Sequence, residues 1–233
     1  MVELRIECPC QCEFSCRDGP LLGRGFAAEV TRRVLALNPD LVAVTGDLVD
    51  GNAARIGDDI APFGDLRAPH GVFFVTGNHD HLSRVDPWLA LVSKLGMRVL
   101  RNECVAIGSP GACFDLLGVD DYRSDWIGGG REDLELACAG RAAGRPAILL
   151  AHDPTTFKLA SRGIDLQISG HTHDGQIWPF RALVRLVVPW VTGLHRVGGA
   201  QLYVSRGTGF WGPPLRLGAP AEITELTLSG ARS

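Results

Sequence analysis

Aspartate, asparagine and histidine are the side chains of this sequence whose types and placing point to chemistry. Four apolar runs end on them. Leu41–Thr45 runs into Gly46-Asp47, and Val72–Thr76 runs into Gly77-Asn78-His79-Asp80. Ala147–Ala151 runs into His152-Asp153, and Leu166–Ser169 runs into Gly170-His171-Thr172-His173. Carboxylate, amide and imidazole donors together suit borderline divalent cations. Short apolar runs before glycine and polar residues read as buried strands. Ligands in open α/β sheets gather beyond the carboxyl ends of such strands. The spacing therefore implies a metal site along a sheet edge.

The elements that must position these residues follow from periodicity. Phe26, Val30 and Val34 recur at helical spacing over Phe26–Leu37, a stretch that stops before Pro39. Further helices are predicted over Ala53–Leu66, Trp88–Leu95 and Arg131–Ala139. Strands are predicted at Val99–Leu100, Val105–Ile107, Phe114–Gly118, Ala200–Val204 and Glu222–Leu228. Strands alternating with helices early and clustering late imply two sheets packed together with helices outside. Residues 1–233 read as a single domain, with an atypical segment at 7–18.

Taken in order, Gly-Asp, Gly-Asn-His-Asp, His and Gly-His-Thr-His resemble the motifs of the calcineurin-like metallophosphoesterase family, over nearly the whole chain from about Gly19. Ser169–Ile177 and Ser205–Pro214 resemble a bacterial branch that is often membrane-tethered or exported. The resemblance implies an α/β fold of two packed mixed sheets flanked by helices, a four-layer αββα sandwich. It implies hydrolysis of phosphoesters, and in this branch of phosphodiesters, by a metal-activated hydroxide. One or two divalent ions per chain (manganese, iron or zinc) are implied as cofactors. Asp47 would bridge two metals, Asn78, His152 and His171 would complete the second, and His173 would bind the first. Paired cations about 3.5–4 Å apart clamp phosphate oxygens during in-line attack. His79 resembles the histidine that steadies or protonates the leaving oxygen, and Asp50 its orienting carboxylate.

The family's opening Asp-x-His is missing, since Ser15 and Arg17 stand at the expected positions. Arginine is always protonated and cannot ligate. Glu7–Cys16 also reads unlike a buried first strand. Three explanations stand. Glu13, Asp18, Cys12 or Cys16 fills the gap; or one metal remains and Arg17 clamps phosphate; or residues 7–18 are a damaged segment in a weakened or inactive homologue. The abrupt change in composition there favours the third.

Net charge is −3 and pI about 6.2, so no nucleic-acid partner is expected. Neither a signal peptide nor a transmembrane run is read, which implies a cytoplasmic chain, peripheral to membrane at most. The sequence names no protein partner. Seven cysteines, four of them between positions 8 and 16, read as reduced thiols. Arg181–Arg196 is apolar, flanked by arginines and contains Trp190, a composition equally suited to membrane-surface contact or to a loop over the active-site rim. Trp178, Phe180 and Trp211 are expected at the substrate mouth, with Arg206 and Arg216 meeting phosphate. His70 and His195 read as surface residues, His81 as a solvated loop position, and Asp120 and Asp121 as part of a turn.

Overall fold

Glycines and prolines cut the chain into short elements, and the structure, a computed structural model, describes residues 3–8, 14–15, 22–121, 131–161 and 163–229. β1 (Glu3–Cys8) and β2 (Phe14–Ser15) precede α1 (Arg24–Ala36), β3 (Leu41–Val44), β4 (Val49–Asp50) and α2 (Ala53–Ile56). β5 (Val72–Phe74), α3 (Asn78–Leu82), α4 (Val85–Lys94) and β6 (Arg98–Val99) follow. Next come β7 (Glu103–Ser109), β8 (Ala112–Gly118), α5 (Leu134–Ala139), β9 (Ala147–Leu150), α6 (Phe157–Ala160) and β10 (Leu166–Ser169). The chain closes with α7 (Phe180–Val187), β11 (Gly193–Val197), β12 (Ala200–Val204) and β13 (Thr224–Ser229).

Among the described residues, β13-β1-β3-β5-β6 form a five-stranded sheet and β11-β12-β10-β9-β8-β7 a six-stranded one, while β2 pairs with β4. β1, β3, β5 and β6 run parallel, and β13 is antiparallel to β1. In the larger sheet β8, β9, β10 and β12 run parallel, between antiparallel edge strands β7 and β11. Both sheets are thus mixed and flanked by helices, the expected architecture.

Alternation along the strands builds the layers. Val42, Val44, Val72 and Phe74 face outward and pack with Val30 and Val34 of α1 and Trp88 and Val92 of α4. Leu41, Ala43, Phe73 and Val75 face inward, against Leu116, Ile148, Leu150 and Ile168 of the other sheet. That sheet's outer face carries Leu117, Ala147 and Leu149 against Ala137 of α5 and Ala160 of α6. Both faces of the central strands are covered, which is why they read as unbroken apolar runs.

Three expectations are corrected. The helix predicted over Ala53–Leu66 is only α2, followed by single 3-10 turns at Gly57–Asp59 and Ala61–Asp65. Pro62 lacks the N–H and clashes with the preceding turn, so a continuous helix cannot form. Glu7 and Cys8 belong to β1, which lies between β13 and β3 with Ile6 opposite Leu41 and Glu7 opposite Val42. Backbone pairing on both sides makes the strand there, whatever the cysteines suggest. Arg181–Arg196 is neither loop nor one helix but α7, a short connection and most of β11.

Gly118 sits where the sheets press together. A Cβ there would stand 2.3 Å from the Leu100 Cβ and 2.8 Å from Val75 Cγ1. Gly118→Ala is expected to lower unfolding free energy by about 1–3 kcal/mol through overpacking, measured by urea denaturation. An unchanged midpoint would show that the layers part without penalty.

Candidate metal centre

β3 and β5 are neighbours in one sheet, β9 and β10 in the other, and the loops leaving all four strands meet at their carboxyl ends. Gly46 turns the chain after β3 at φ +85, and Asp47 follows in the left-handed region at φ +52. A Cβ on Gly46 would lie 2.5 Å from the Gly77 nitrogen, and one on Gly77 would lie 2.2 Å from Asp47 Oδ1. Only glycine at both positions lets these loops approach so closely.

Asp80 holds them there. Buried in the first turn of α3, its carboxylate accepts the backbone N–H groups of Asp47 (2.9 Å), Leu48 (3.0 Å), Val49 (3.2 Å) and Gly77 (2.8 Å). Each donor left unpaired would cost about 1–3 kcal/mol. Burial and the nearby Asp47 carboxylate push Asp80 up to about 7, while the N–H donors pull it down. Asp80 carries no role in the sequence reading. Its signal was present: a carboxylate three residues after Gly77, the capping-box position of a helix start.

Asp47 Oδ1 accepts the backbone N–H of His79 at 2.9 Å, and Oδ2 lies 3.0 Å from His152 Nε2. His152 Nδ1 is 2.8 Å from the Thr45 carbonyl. A carbonyl only accepts, so Nδ1 carries a proton and Nε2 is the nitrogen offered to a ligand. His152 Nε2 also lies 3.1 Å from His171 Nδ1. Asp47, His152 and His171 therefore present ligand atoms within 4.8 Å of one another. Asn78 opens α3 with a buried Oδ1 that has no hydrogen-bond partner among the described residues. An orphaned buried carbonyl on the residue before His79, whose backbone N–H reaches Asp47, fits a cation ligand. The donor set fits a divalent ion.

The charges respond to this crowding. Burial opposes ionisation of Asp47, yet His152, His79 and His171 hold it well below the ordinary carboxylate range. Burial alone would depress His152, but the Asp47 carboxylate raises it to about 10.

His173 is buried but lies outside this cluster. Its Nδ1 is 3.0 Å from Arg216 Nη2. A guanidinium only donates, so Nδ1 accepts and the neutral ring carries its proton on Nε2. Burial, then Arg216, depresses His173 to about 3. His79 Nδ1 is 3.8 Å from Asp50 Oδ1, beyond hydrogen-bond length.

Arg206 is held between carboxylates, Nε 3.2 Å from Asp174 Oδ2 and Nη1 3.0 Å from Glu222 Oε2. Its charge is already balanced there. Arg17, Glu13, Asp18, Cys12 and Cys16 lie outside the described residues. Cys104, Cys113 and Cys138 are free thiols. A cleft of about 430 Å³ is lined by Asp47, His79 and His171 together with Phe180 and Trp211.

Two readings are overturned beneath the site. His81 is buried, not solvated, with Nε2 3.1 Å from Thr76 Oγ1. That hydroxyl donates to Asp120 Oδ1 at 3.2 Å, so it accepts from the His81 ring. Asp120 is itself gripped by Arg101 through bonds of 2.8 and 2.9 Å. Asp121 is also buried. The turn expected there is a packed polar layer.

Residues 24–175 match the family model for calcineurin-like phosphoesterases, and the chain belongs to that family. It is 40% identical over 217 residues to a metallophosphoesterase of Helicobacter pylori, covering 90% of this chain and 56% of that protein. It is 41% identical over 227 residues to a bovine transmembrane protein with a metallophosphoesterase domain, covering 91% of this chain and 51% of that protein. The chain thus spans about half the length of these curated relatives. The NAD nucleotidase of Haemophilus influenzae shares the fold, with a TM-score of 0.54, 16% identity, and coverage of 87% of this chain and 50% of that one. No helix among the described residues is long and apolar enough to cross a membrane.

Two outcomes are expected at this centre. Manganese binding at pH 7–8 should release about one proton, since His152 must give up the proton it shares with Asp47. Calorimetry in buffers of different ionisation enthalpy measures this, and a buffer-independent enthalpy would contradict it. Asp80→Ala should lower unfolding free energy by at least about 3 kcal/mol, because four N–H donors lose their acceptor; a change within error would show that water replaces it.

Proposed function

We propose that this calcineurin-like phosphoesterase hydrolyses phosphoesters at the Asp47–Asn78–His152–His171 cluster. The convergence of Asp47, His152 and His171 at the sheet edge is the observation that carries the reading. When bound, a divalent cation supplies Lewis acidity, activating water and offsetting charge on the phosphoryl oxygens.

The chain's own residues set the stage for that chemistry. Thr45 fixes the His152 tautomer through its carbonyl, which keeps Nε2 directed at Asp47. The His79 backbone N–H orients the Asp47 carboxylate from the other side. The His79 ring, partly exposed on the cleft wall, is assigned to the departing oxygen, to which it donates a proton. Asp50 Oδ1 lies 3.8 Å from that ring, on the side from which the expected orienting carboxylate would act. Preference for diesters over monoesters rests on the resemblance of the Ser169–Ile177 and Ser205–Pro214 stretches.

A single cation per chain fits best. Arg216 places a fixed positive charge on His173, the ligand assigned to a first metal. Two unit charges 4 Å apart repel by about 4 kcal/mol at an effective dielectric of 20, and a divalent ion doubles that. Manganese is the first metal to try, with iron and zinc as alternatives.

Hydrolysis of bis-p-nitrophenyl phosphate with added manganese tests the reading. His79→Ala should lower kcat by about 10²-fold or more, the usual contribution of a positioned proton donor. Asp47→Ala should abolish both turnover and retained manganese. Turnover indifferent to both substitutions would remove the site, and a folded, metal-loaded chain without turnover would mark a binding homologue. Elemental analysis of the loaded protein should find close to one manganese per chain, and two tightly held equivalents would overturn the single-cation assignment.

A further inference from the structure

One wall of the metal cleft is apolar and exposed. Phe180, Leu183, Val184, Val187 and Val188 line the cleft that Asp47, His79 and His171 also line. Phe180, Leu183, Val184 and Val187 recur at i, i+3, i+4 and i+7, one face of α7, and Val188 follows in extended backbone at its end. No residue of α7 is buried. Leu183 is 59% exposed and Val187 83%, while Leu186 and Trp178, beyond the rim, stand at 83% and 60%. An apolar helical face that contributes nothing to the core has no folding reason to be apolar.

What holds the helix is polar and local. Arg181 Nε lies 2.8 Å from Asp174 Oδ1, and a Cβ on Gly175 would stand 2.5 Å from Arg181 Cα. The helix is therefore fastened to the loop that follows His173, and its apolar face is kept open beside the candidate ligands. The charge pattern adds a second constraint. Between Asp174 and Glu222 the sequence contains no acidic residue; those two carboxylates pair with Arg181 and Arg206, and the segment also carries Arg185, Arg196 and Arg216. In a chain of net charge −3, the stretch between those two carboxylates is cationic and apolar.

We propose that the substrate is an amphiphilic phosphoester whose alkyl chain lies along the apolar face of α7 while its phosphate reaches the Asp47–His152–His171 cluster. The proposal rests on the hydrolytic reading for its chemistry, but the apolar wall is a separate observation. A polar head alone would leave that wall wet. An alkyl chain fills it and exchanges exposed apolar surface for contact, the term that drives most such binding.

Binding and turnover test the two readings separately. Octylphosphonate and methylphosphonate, neither hydrolysable, are titrated into the manganese-loaded chain by calorimetry below the micellar concentration. Octylphosphonate should bind at least about tenfold tighter, the effect of roughly two buried methylenes. Leu183→Ser with Val187→Ser should erase the difference, with near-native circular dichroism showing that the fold persists. Equal affinities, or a preference that survives the double substitution, would overturn the proposal. Octyl and methyl p-nitrophenyl phosphodiesters then report kcat/KM, and their ratio should follow the binding ratio. A binding preference without turnover of either ester would sink the hydrolytic reading and keep the apolar site. Equal turnover of both would do the reverse. Flotation with phosphatidylcholine vesicles assigns the source of the chain: co-flotation that Leu186→Ser abolishes supports a bilayer-borne amphiphile, and protein left in the pellet supports a dispersed one.

Discussion

Four backbone N–H groups from two loops end on one carboxylate, and the rest of the centre depends on that arrangement. Asp80 fixes Asp47, Leu48 and Val49 after one strand and Gly77 after its neighbour. With those donors anchored, Asp47 can hold a left-handed backbone and turn its carboxylate toward the second sheet. There it meets His152, whose ring is locked from behind by Thr45. The cluster therefore spans the seam between two sheets, and neither sheet could assemble it alone. Burying Asp47 and His152 together is tolerable only because each answers the other's charge.

Much of this was legible in the sequence because the relevant signals are local. Apolar runs of four or five residues ending in glycine and a polar ligand fixed the strands and the edge on which Asp47, His152 and His171 gather. The reading of Ala200–Val204 as a strand matches β12 at both ends. The burial of Val30 and Val34 follows from their helical spacing. These features need no partner to be recognised.

What stayed hidden depends on distant partners. Asp80 reads as one more polar residue in Gly-Asn-His-Asp until the loop it binds, some thirty positions earlier, is placed beside it. His81 looks solvated and Asp120 looks like part of a turn because nothing nearby in sequence shows that Thr76 and Arg101 will enclose them. Arg216 reads as a phosphate contact, yet it is held by backbone carbonyls of Arg206 and Ala219 and reaches the His173 ring. Arg206 likewise is absorbed by Asp174 and Glu222. Charge pairing across the fold, unlike strand formation, leaves no periodic trace.

The unburied helix α7 has a consequence for how such a molecule can change over time. Substitutions in the metal loops disturb buried charges and shared hydrogen bonds, whereas those on an exposed helical face usually shift stability by less than about 0.5 kcal/mol. Inheritance can therefore revise the exposed apolar residues of α7 while Arg181 and the loops around Asp47, His152 and His171 stay fixed. A lineage carrying this architecture can exchange one clientele for another without relearning how to fold.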